Sequence, residues 1–188
     1  MEDFDEIIYI DSREDFAEEK LGKHLNLLLS RHGGGIPLFL CIGSDRVTGD
    51  SLGPLIGTIL KKKRADISVL GTLDAPVHAL NLADTLHQIQ KKEIPGPVVA
   101  IDASLGTREH QGFFTLGKGS LMPGAGVNKS LTCAGDIFLT GIVAQAGPFA
   151  QFALQTVRLS RIMSLADMMA EGILMAYDAA AVLPAKTL

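Results

Sequence analysis

The sequence predicts one α/β domain over residues 1–188, built on a mostly parallel sheet, and three observations predict it. Short apolar runs alternate with amphipathic helical patterns from Ile36 to Ile101, a βαβαβ order whose right-handed crossovers make neighbouring strands parallel. At 188 residues, 47% hydrophobic and 20% charged, the chain is long enough for one full core and short for two. The third is the stretch Cys41-Ile-Gly-Ser-Asp-Arg-Val-Thr-Gly-Asp50-Ser-Leu-Gly-Pro54. It leaves an apolar run and opens a helical one, which is where open α/β sheets place their ligands.

The elements follow in order. Ile7 to Ile10 reads either as an added edge strand or as part of a disordered start. From Asp11 a helical pattern runs through Phe16, Leu21, Leu25, Leu28 and Leu29, with acids early and bases late as the helix dipole favours. Gly33-Gly-Gly35 stops it, and because these glycines precede a strand they are no dinucleotide fingerprint. Ile36 to Ile42 predicts the first core strand. The helix after Asp50 carries Leu52, Leu55, Ile56, Ile59 and Leu60 on one face. It ends in Lys61-Lys-Lys-Arg64, cations suited to the unpaired carbonyls of a last turn rather than to nucleic acid. Ile67 to Leu70 predicts a second strand.

Asp74 near an N-cap and Pro76 in a first turn then open a helix through Val77, Leu80, Leu82, Leu86 and Ile89. Pro95-Gly-Pro97 feeds a third strand, Val98 to Ile101. Gly112 to Gly117 reads as a hairpin arm with Lys118-Gly119 at its turn. It nearly matches a phosphate-binding loop but lacks the hydroxyl residue after the lysine, and no helix follows. Met122 to Lys129 is a second unusual loop, where Gly124 and Gly126 permit positive φ or close backbone approach. Asp136 to Val143 predicts a buried strand. From Phe149 the chain is helical, divided near Arg158 to Ser160 with Ser160 as the cap. Phe149, Phe152, Met163, Met168, Met169 and Met175 are expected in the core. Methionine-rich helices equally suit partner surfaces, so part of this helix is a candidate homo-oligomer face.

Bulk properties exclude several classes. A net charge of −4 offers no electrostatic attraction to nucleic acid or an anionic membrane. Two cysteines, Cys41 and Cys133, without a CxxC motif fit a reducing interior better than a disulfide framework. The start, Met1-Glu-Asp-Phe-Asp-Glu, is acidic, opposite to a signal peptide. The uncharged window Ile137 to Val157 is broken by Gly141, Gly147 and Pro148 and carries Gln145, Gln151 and Gln155, so it reads as strand, turn and helix rather than a membrane span. The expectation is a cytoplasmic protein without a membrane partner.

Two carboxylates carry the chemistry. Asp50 stands at the mouth of a helix and Asp102 at the end of Pro97-Val-Val-Ala-Ile-Asp102. Locally they read as a helix N-cap and an Asx turn. If their strands are neighbours in the sheet, however, their loops lie side by side. Like charges a few ångströms apart cannot both ionise cheaply, so one holds a proton while the other draws a proton from water. The same pair with a third ligand would hold a divalent cation. His78 is the histidine placed in the first turns of a sheet-packed helix, where a structural imidazole is commoner than a catalytic one. Cys41 reads as core, Cys133 as a loop thiol, and Lys129 as either an exposed lysine or a positive charge for a developing oxyanion.

These motifs resemble a known family. Ile42-Gly43-Ser44-x-x-Val47-Thr48-x-Asp50-x-Leu52-Gly53-Pro54 is similar to the signature loop of the bacterial germination protease, and Ala100-Ile101-Asp102-Ala103 to its second aspartate motif. Pro123-Gly124-Ala125-Gly126-Val127, with Asn128-Lys129 beyond, resembles its third. Closer still is the sporulation protein family called YyaC, which Gly49–Pro54, Gly71–Ala79 and Gly135–Val143 resemble. The resemblance implies a three-layer α-β-α sandwich of the phosphorylase/hydrolase-like, germination-protease-like kind. It implies a cytoplasmic setting in the forespore or mother cell, and a peptidase acting on a protein or peptide substrate through Asp50 and Asp102. Lys129 would give electrostatic support, Ser44, Thr48, Gly124 and Gly126 would bind substrate, and no cofactor or metal would be needed. In the hydrogenase maturation proteases the two matching acids are metal ligands joined by a histidine, whose position falls here near Cys133. Two other readings follow: a non-catalytic sporulation or interaction protein on the same scaffold, and a metal-dependent maturation-type protease.

Overall fold

The computed structural model of the chain describes residues 7–92, 94–124 and 132–182. Among these, the strands are β1 (Ile8–Asp11), β2 (Leu38–Cys41), β3 (Ser68–Leu70), β4 (Val98–Gly106), β5 (Phe113–Lys118) and β6 (Ile137–Gln145). The helices are α1 (Ala17–Arg31), α2 (Leu52–Lys63), α3 (Leu82–Lys91), α4 (Ala150–Thr156) and α5 (Leu159–Val182). The strands form one sheet in the order β1-β5-β6-β4-β2-β3. From β6 to β3 every pairing is parallel, while β5 pairs antiparallel with both β6 and β1.

The two-residue period of the strands divides the core into two faces. Phe39, Cys41, Val99, Ile101 and Leu139 pack with buried residues of α1, α2 and α5, among them Leu21, Leu25, Ile56, Leu60, Met169 and Ile173. Leu40, Ile42 and Ala100 point to the other side, where they meet Val77 and Leu82, with Leu86 and Ile89 against them. Helices therefore cover both faces, giving the three-layer α/β sandwich. No described helix is long and apolar enough to cross a membrane.

Several boundaries differ from the sequence expectations, each for an identifiable reason. Asp11 belongs to β1, opposite Phe113, so α1 starts six residues later, after Phe16 at φ 62°. Ile36 is 56% exposed, and β2 begins only after Pro37. The stretch after β3 is not helical from Asp74. Val77 bridges to Ile42 and accepts the Gly43 N–H at 2.8 Å, so its backbone serves the sheet, and α3 waits until Leu82. β4 runs on to Gly106 instead of stopping at Ile101, because β6 continues beside it from Asp102↔Thr140 to Gly106↔Gln145. Asp102 therefore sits within a strand and not in an Asx turn. Gly112 to Gly117 is largely strand β5, as a hairpin arm requires and a phosphate loop does not.

The final helical region divides at Arg158 as expected, but Ser160 lies inside α5. The Arg158 carbonyl accepts the Arg161 and Ile162 N–H groups, so Arg158 holds the start. Of the residues expected in the core, Met169 is buried and Met168 packs partly against it, whereas Phe149 is 79% and Phe152 65% exposed. Met163 and Met175 are also exposed. The basic end of α2 is spent on tertiary contacts: Lys63 pairs with Glu171, Arg64 with Asp66 and Asp178, and Lys61 Nζ donates to the Ile67 carbonyl at 2.7 Å. These contacts tie α2 to α5 and to the start of β3.

Candidate active site at the carboxyl edge of β2 and β4

Because β2 and β4 are parallel neighbours, with Cys41 opposite Ile101, the loop leaving β2 lies beside the residue that follows Ile101 on β4. That residue is Asp102. The loop reaches Asp50 through a tight frame: the Ser44 N–H donates to the Asp50 carbonyl at 3.0 Å, and the Asp50 N–H to the Val47 carbonyl at 3.0 Å. A 3-10 turn, Thr48–Ser51, follows, closed by the Ser51 hydroxyl on the Thr48 carbonyl at 2.7 Å. Asp50 is not the N-cap residue of either helical segment, since Val47 and Ser51 hold those positions and neither makes a side-chain cap.

Glycines set how closely the loop is held. A Cβ on Gly53 would lie 2.1 Å from the Ile42 carbonyl oxygen, so the first turn of α2 rests directly on the end of β2. A Cβ on Gly49 would lie 2.8 Å from the Leu154 carbonyl, which seats α4 over the 3-10 turn. The resulting cavity is about 250 Å³, and Asp50, Asp102, His78, Gly124, Gln151 and Gln155 all line it.

The two aspartates differ in environment. Asp50 is half-buried, whereas Asp102 is 6% exposed. Asp102 Oδ1 accepts the Ala103 N–H at 2.7 Å. Burial pushes the Asp102 carboxyl well above its ordinary value, the charge on Asp50 pushes it further, and the Ala103 bond offsets this only in part. Of the two acids, Asp102 is the one whose burial and neighbour favour the protonated form. Both acids line one cavity, as the sequence reading expected of their loops, and the charge on Asp50 acts on the Asp102 carboxyl.

The other expected site residues fall differently. Gly124 lines the cavity at φ 71°. Ser44 turns its hydroxyl to the Arg46 N–H at 3.2 Å and shapes the loop, and Thr48 lends its carbonyl to Ser51; neither lines the cavity. Lys129 and Gly126 lie outside the described residues. Cys133 is exposed, and Cys41 is buried in the core, its thiol pushed up by burial. On Asp102's face of the sheet, a hydroxyl chain links Ser104 to Thr140 at 2.8 Å and Thr140 to Thr115 at 2.7 Å, satisfying polar groups that the sheet buries.

Three lining residues were not expected there. His78 reaches the cavity because the segment after β3 stays extended beside β2 instead of coiling into a helix. Gln151 and Gln155 stand one helical turn apart on α4, a spacing that places both on the same face. In the sequence they argued only against a membrane span. Nothing local shows which way a short helix turns. Among the described residues no three His, Cys, Asp or Glu side chains are grouped to hold a metal ion.

This geometry belongs to a chain with known relatives. It is 40% identical over 166 residues to a protein of Bacillus subtilis (strain 168) described as "Uncharacterized protein YyaC", covering 88% of this chain and 81% of that protein. The family model described as "Protein of unknown function (DUF1256)" matches residues 9–172, a span that includes both aspartates and every described residue lining the cavity. The chain belongs to the DUF1256 family and is of the YyaC type.

Proposed function

We propose that this protein is a peptidase of the germination-protease type, associated with sporulation, which hydrolyses a peptide bond with Asp50 and Asp102. The observation that carries the reading is a buried carboxyl, pushed well above its ordinary value, in the same cavity as a more exposed carboxylate. In the reaction Asp50 takes a proton from water as the water oxygen bonds to the scissile carbonyl carbon, while the Asp102 proton polarises the carbonyl oxygen. The tetrahedral intermediate collapses with loss of the C–N bond, and Asp50 delivers its proton to the leaving amine. One water is consumed, and the two products are a carboxylic acid and an amine. Lys129 is assigned electrostatic support of the oxyanion, and the backbone around Gly124 and Gly126 the seating of the substrate. The similarity of the Asp50, Asp102 and Pro123–Lys129 motifs to those of the germination protease supports the assignment.

The test is incubation with a proteome-derived peptide library and mass spectrometry of new termini. Wild type is expected to cut a defined set of peptides, and Asp50→Asn and Asp102→Asn to lower the rate about 10²–10⁴-fold without loss of fold. Retained cleavage in both variants, or a folded wild type that cuts nothing, ends the peptidase reading. The exposed Phe149, Phe152 and Met163 favour a second reading, a non-catalytic protein that acts through this surface. In that case both Asp→Asn variants complement a sporulation defect, while Phe152→Ser with Met163→Ser does not.

A further inference from the structure

We propose that His78 is a further catalytic residue of this site: a neutral imidazole whose Nε2–H donates a hydrogen bond to the oxygen of the scissile carbonyl. This rests on the peptidase reading above and deepens it. A peptide carbonyl becomes an oxyanion as water adds, and the cavity must offer donors for that charge. No lysine or arginine is among the described residues that line it; the side-chain donors other than a protonated carboxyl are His78, Gln151 and Gln155.

His78 is the one of these that its surroundings hold in place. Its Nδ1 accepts the Leu80 N–H at 3.3 Å, so Nδ1 carries no proton and Nε2 does. The backbone beneath it is clamped at several points. The His78 N–H donates to Asn81 Oδ1 at 2.7 Å, and Asn81 Nδ2 donates to the Pro76 carbonyl at 3.0 Å. The His78 carbonyl accepts the N–H groups of Asn81 and Leu82 at 3.0 and 2.9 Å, and the preceding Val77 is bridged to Ile42 at the end of β2. The ring is half-buried, whereas both glutamines are exposed on α4 with side chains that make no hydrogen bond to a described residue. A donor fixed before substrate arrives costs no reorganisation during the reaction. Its tautomer also leaves the proton balance unchanged: His78 donates a hydrogen bond and transfers no proton, so Asp50 and Asp102 keep their roles.

The experiment has two arms. Kinetics on a fluorescence-quenched peptide, carrying a site that wild type cuts in the library, compare His78→Ala with His78→Gln, whose amide N–H₂ can restore the donor. His78→Ala is expected to lose about 10²–10³ in kcat with little change in KM, and His78→Gln to recover most of the loss. In parallel, ¹⁵N NMR of the wild-type imidazole is expected to show the Nε2–H tautomer, and amide spectra of both variants the wild-type fold. A His78→Ala enzyme that folds and keeps kcat within a few-fold, or an Nδ1–H tautomer in wild type, overturns the assignment while leaving the aspartate pair intact. A wild type that cuts no peptide removes the reaction itself, and this assignment with it.

Discussion

The sheet has two margins that treat an aspartate in opposite ways. At the antiparallel margin, Asp11 ends β1 and both its oxygens are held by the Arg13 guanidinium at 2.7 Å. That hydrogen-bonded cation holds the Asp11 carboxyl below its usual range. Around it the surface is aromatic and open, with His110 between Tyr9 and Phe113 and Arg13 over the Phe113 ring. At the carboxyl edge of β2 and β4, Asp102 is buried with another carboxylate for company, and its carboxyl is held well above that range. One margin settles its charge locally. The other buries a carboxyl beside a second acid, and groups perturbed in this way collect at functional sites.

The backbone shows the same contrast, and the largest expected effect tests it. Gly53→Ala would force a Cβ to within 2.1 Å of the Ile42 carbonyl oxygen, whereas Gly119, at φ 117°, has nothing within 4 Å of its Cβ position. Gly53→Ala is expected to cost roughly 3 kcal/mol or more, and Gly119→Ala about 1–2 kcal/mol from left-handed strain alone. Urea midpoints of the two variants check this; equal losses would mean that the β2–α2 junction is no tighter than an open turn.

Next in size is the hydroxyl chain. Thr140→Val leaves the Ser104 and Thr115 hydroxyls without their shared partner and is expected to cost about 1–3 kcal/mol. At the open margin, Thr107→Val removes only an exposed 3.3 Å contact to His110 and should stay within about 0.5 kcal/mol. Thermal melts distinguish them, since each kcal/mol shifts Tm by about 2–4 °C in a chain of this size.

Smaller at any one pH, but opposite in sign, are the two Asp→Asn substitutions. Asp102 has a folded pKa raised above its unfolded value of 3.8. Its contribution to stability is complete below that value and is lost as pH rises through the folded pKa. Asp102→Asn keeps the acceptor for Ala103 and removes the ionisation, so its Tm should match wild type near pH 4 and exceed it increasingly as pH rises. Asp11 has a folded pKa lowered from the same 3.8, so its stabilisation is present above that value and is lost as pH falls through the folded pKa. Asp11→Asn should therefore lower stability at neutral pH, by less than about 1 kcal/mol for a pair this exposed, with a matching drop in Tm that should vanish in acid. Melts across pH 3 to 9 that moved both variants in one direction would remove the distinction between the margins. Smallest is Glu171→Gln, which loosens the surface pair with Lys63 and should change stability by about 0.5 kcal/mol or less, measured in the same melts with and without salt.

How much of this was legible in advance depended on the range over which each cause acts. The core strand expected over Ile36 to Ile42 and found over Leu38–Cys41, the α2 face from Leu52 to Leu60 and the break near Arg158 follow from periodicity and breakers within a dozen residues. The boundaries that moved were those set from elsewhere in the chain. β4 is long because β6 runs beside it, α3 is late because Val77 pairs with Ile42, and Phe149 and Phe152 are exposed because α4 turns its glutamines to the cavity.

The chain's own order of residues determined the α/β class, the YyaC-type signature and the choice of Asp50 and Asp102 as the acids to watch. Those rest on local pattern, which needs no partner to be read. Only the tertiary structure decided that β2 and β4 are neighbours, that Asp102 is the buried member of the pair, and that His78, Gln151 and Gln155 share the cavity. Burial and charge proximity belong to the packed sheet and not to any one segment, and together they raise the Asp102 carboxyl above its ordinary value.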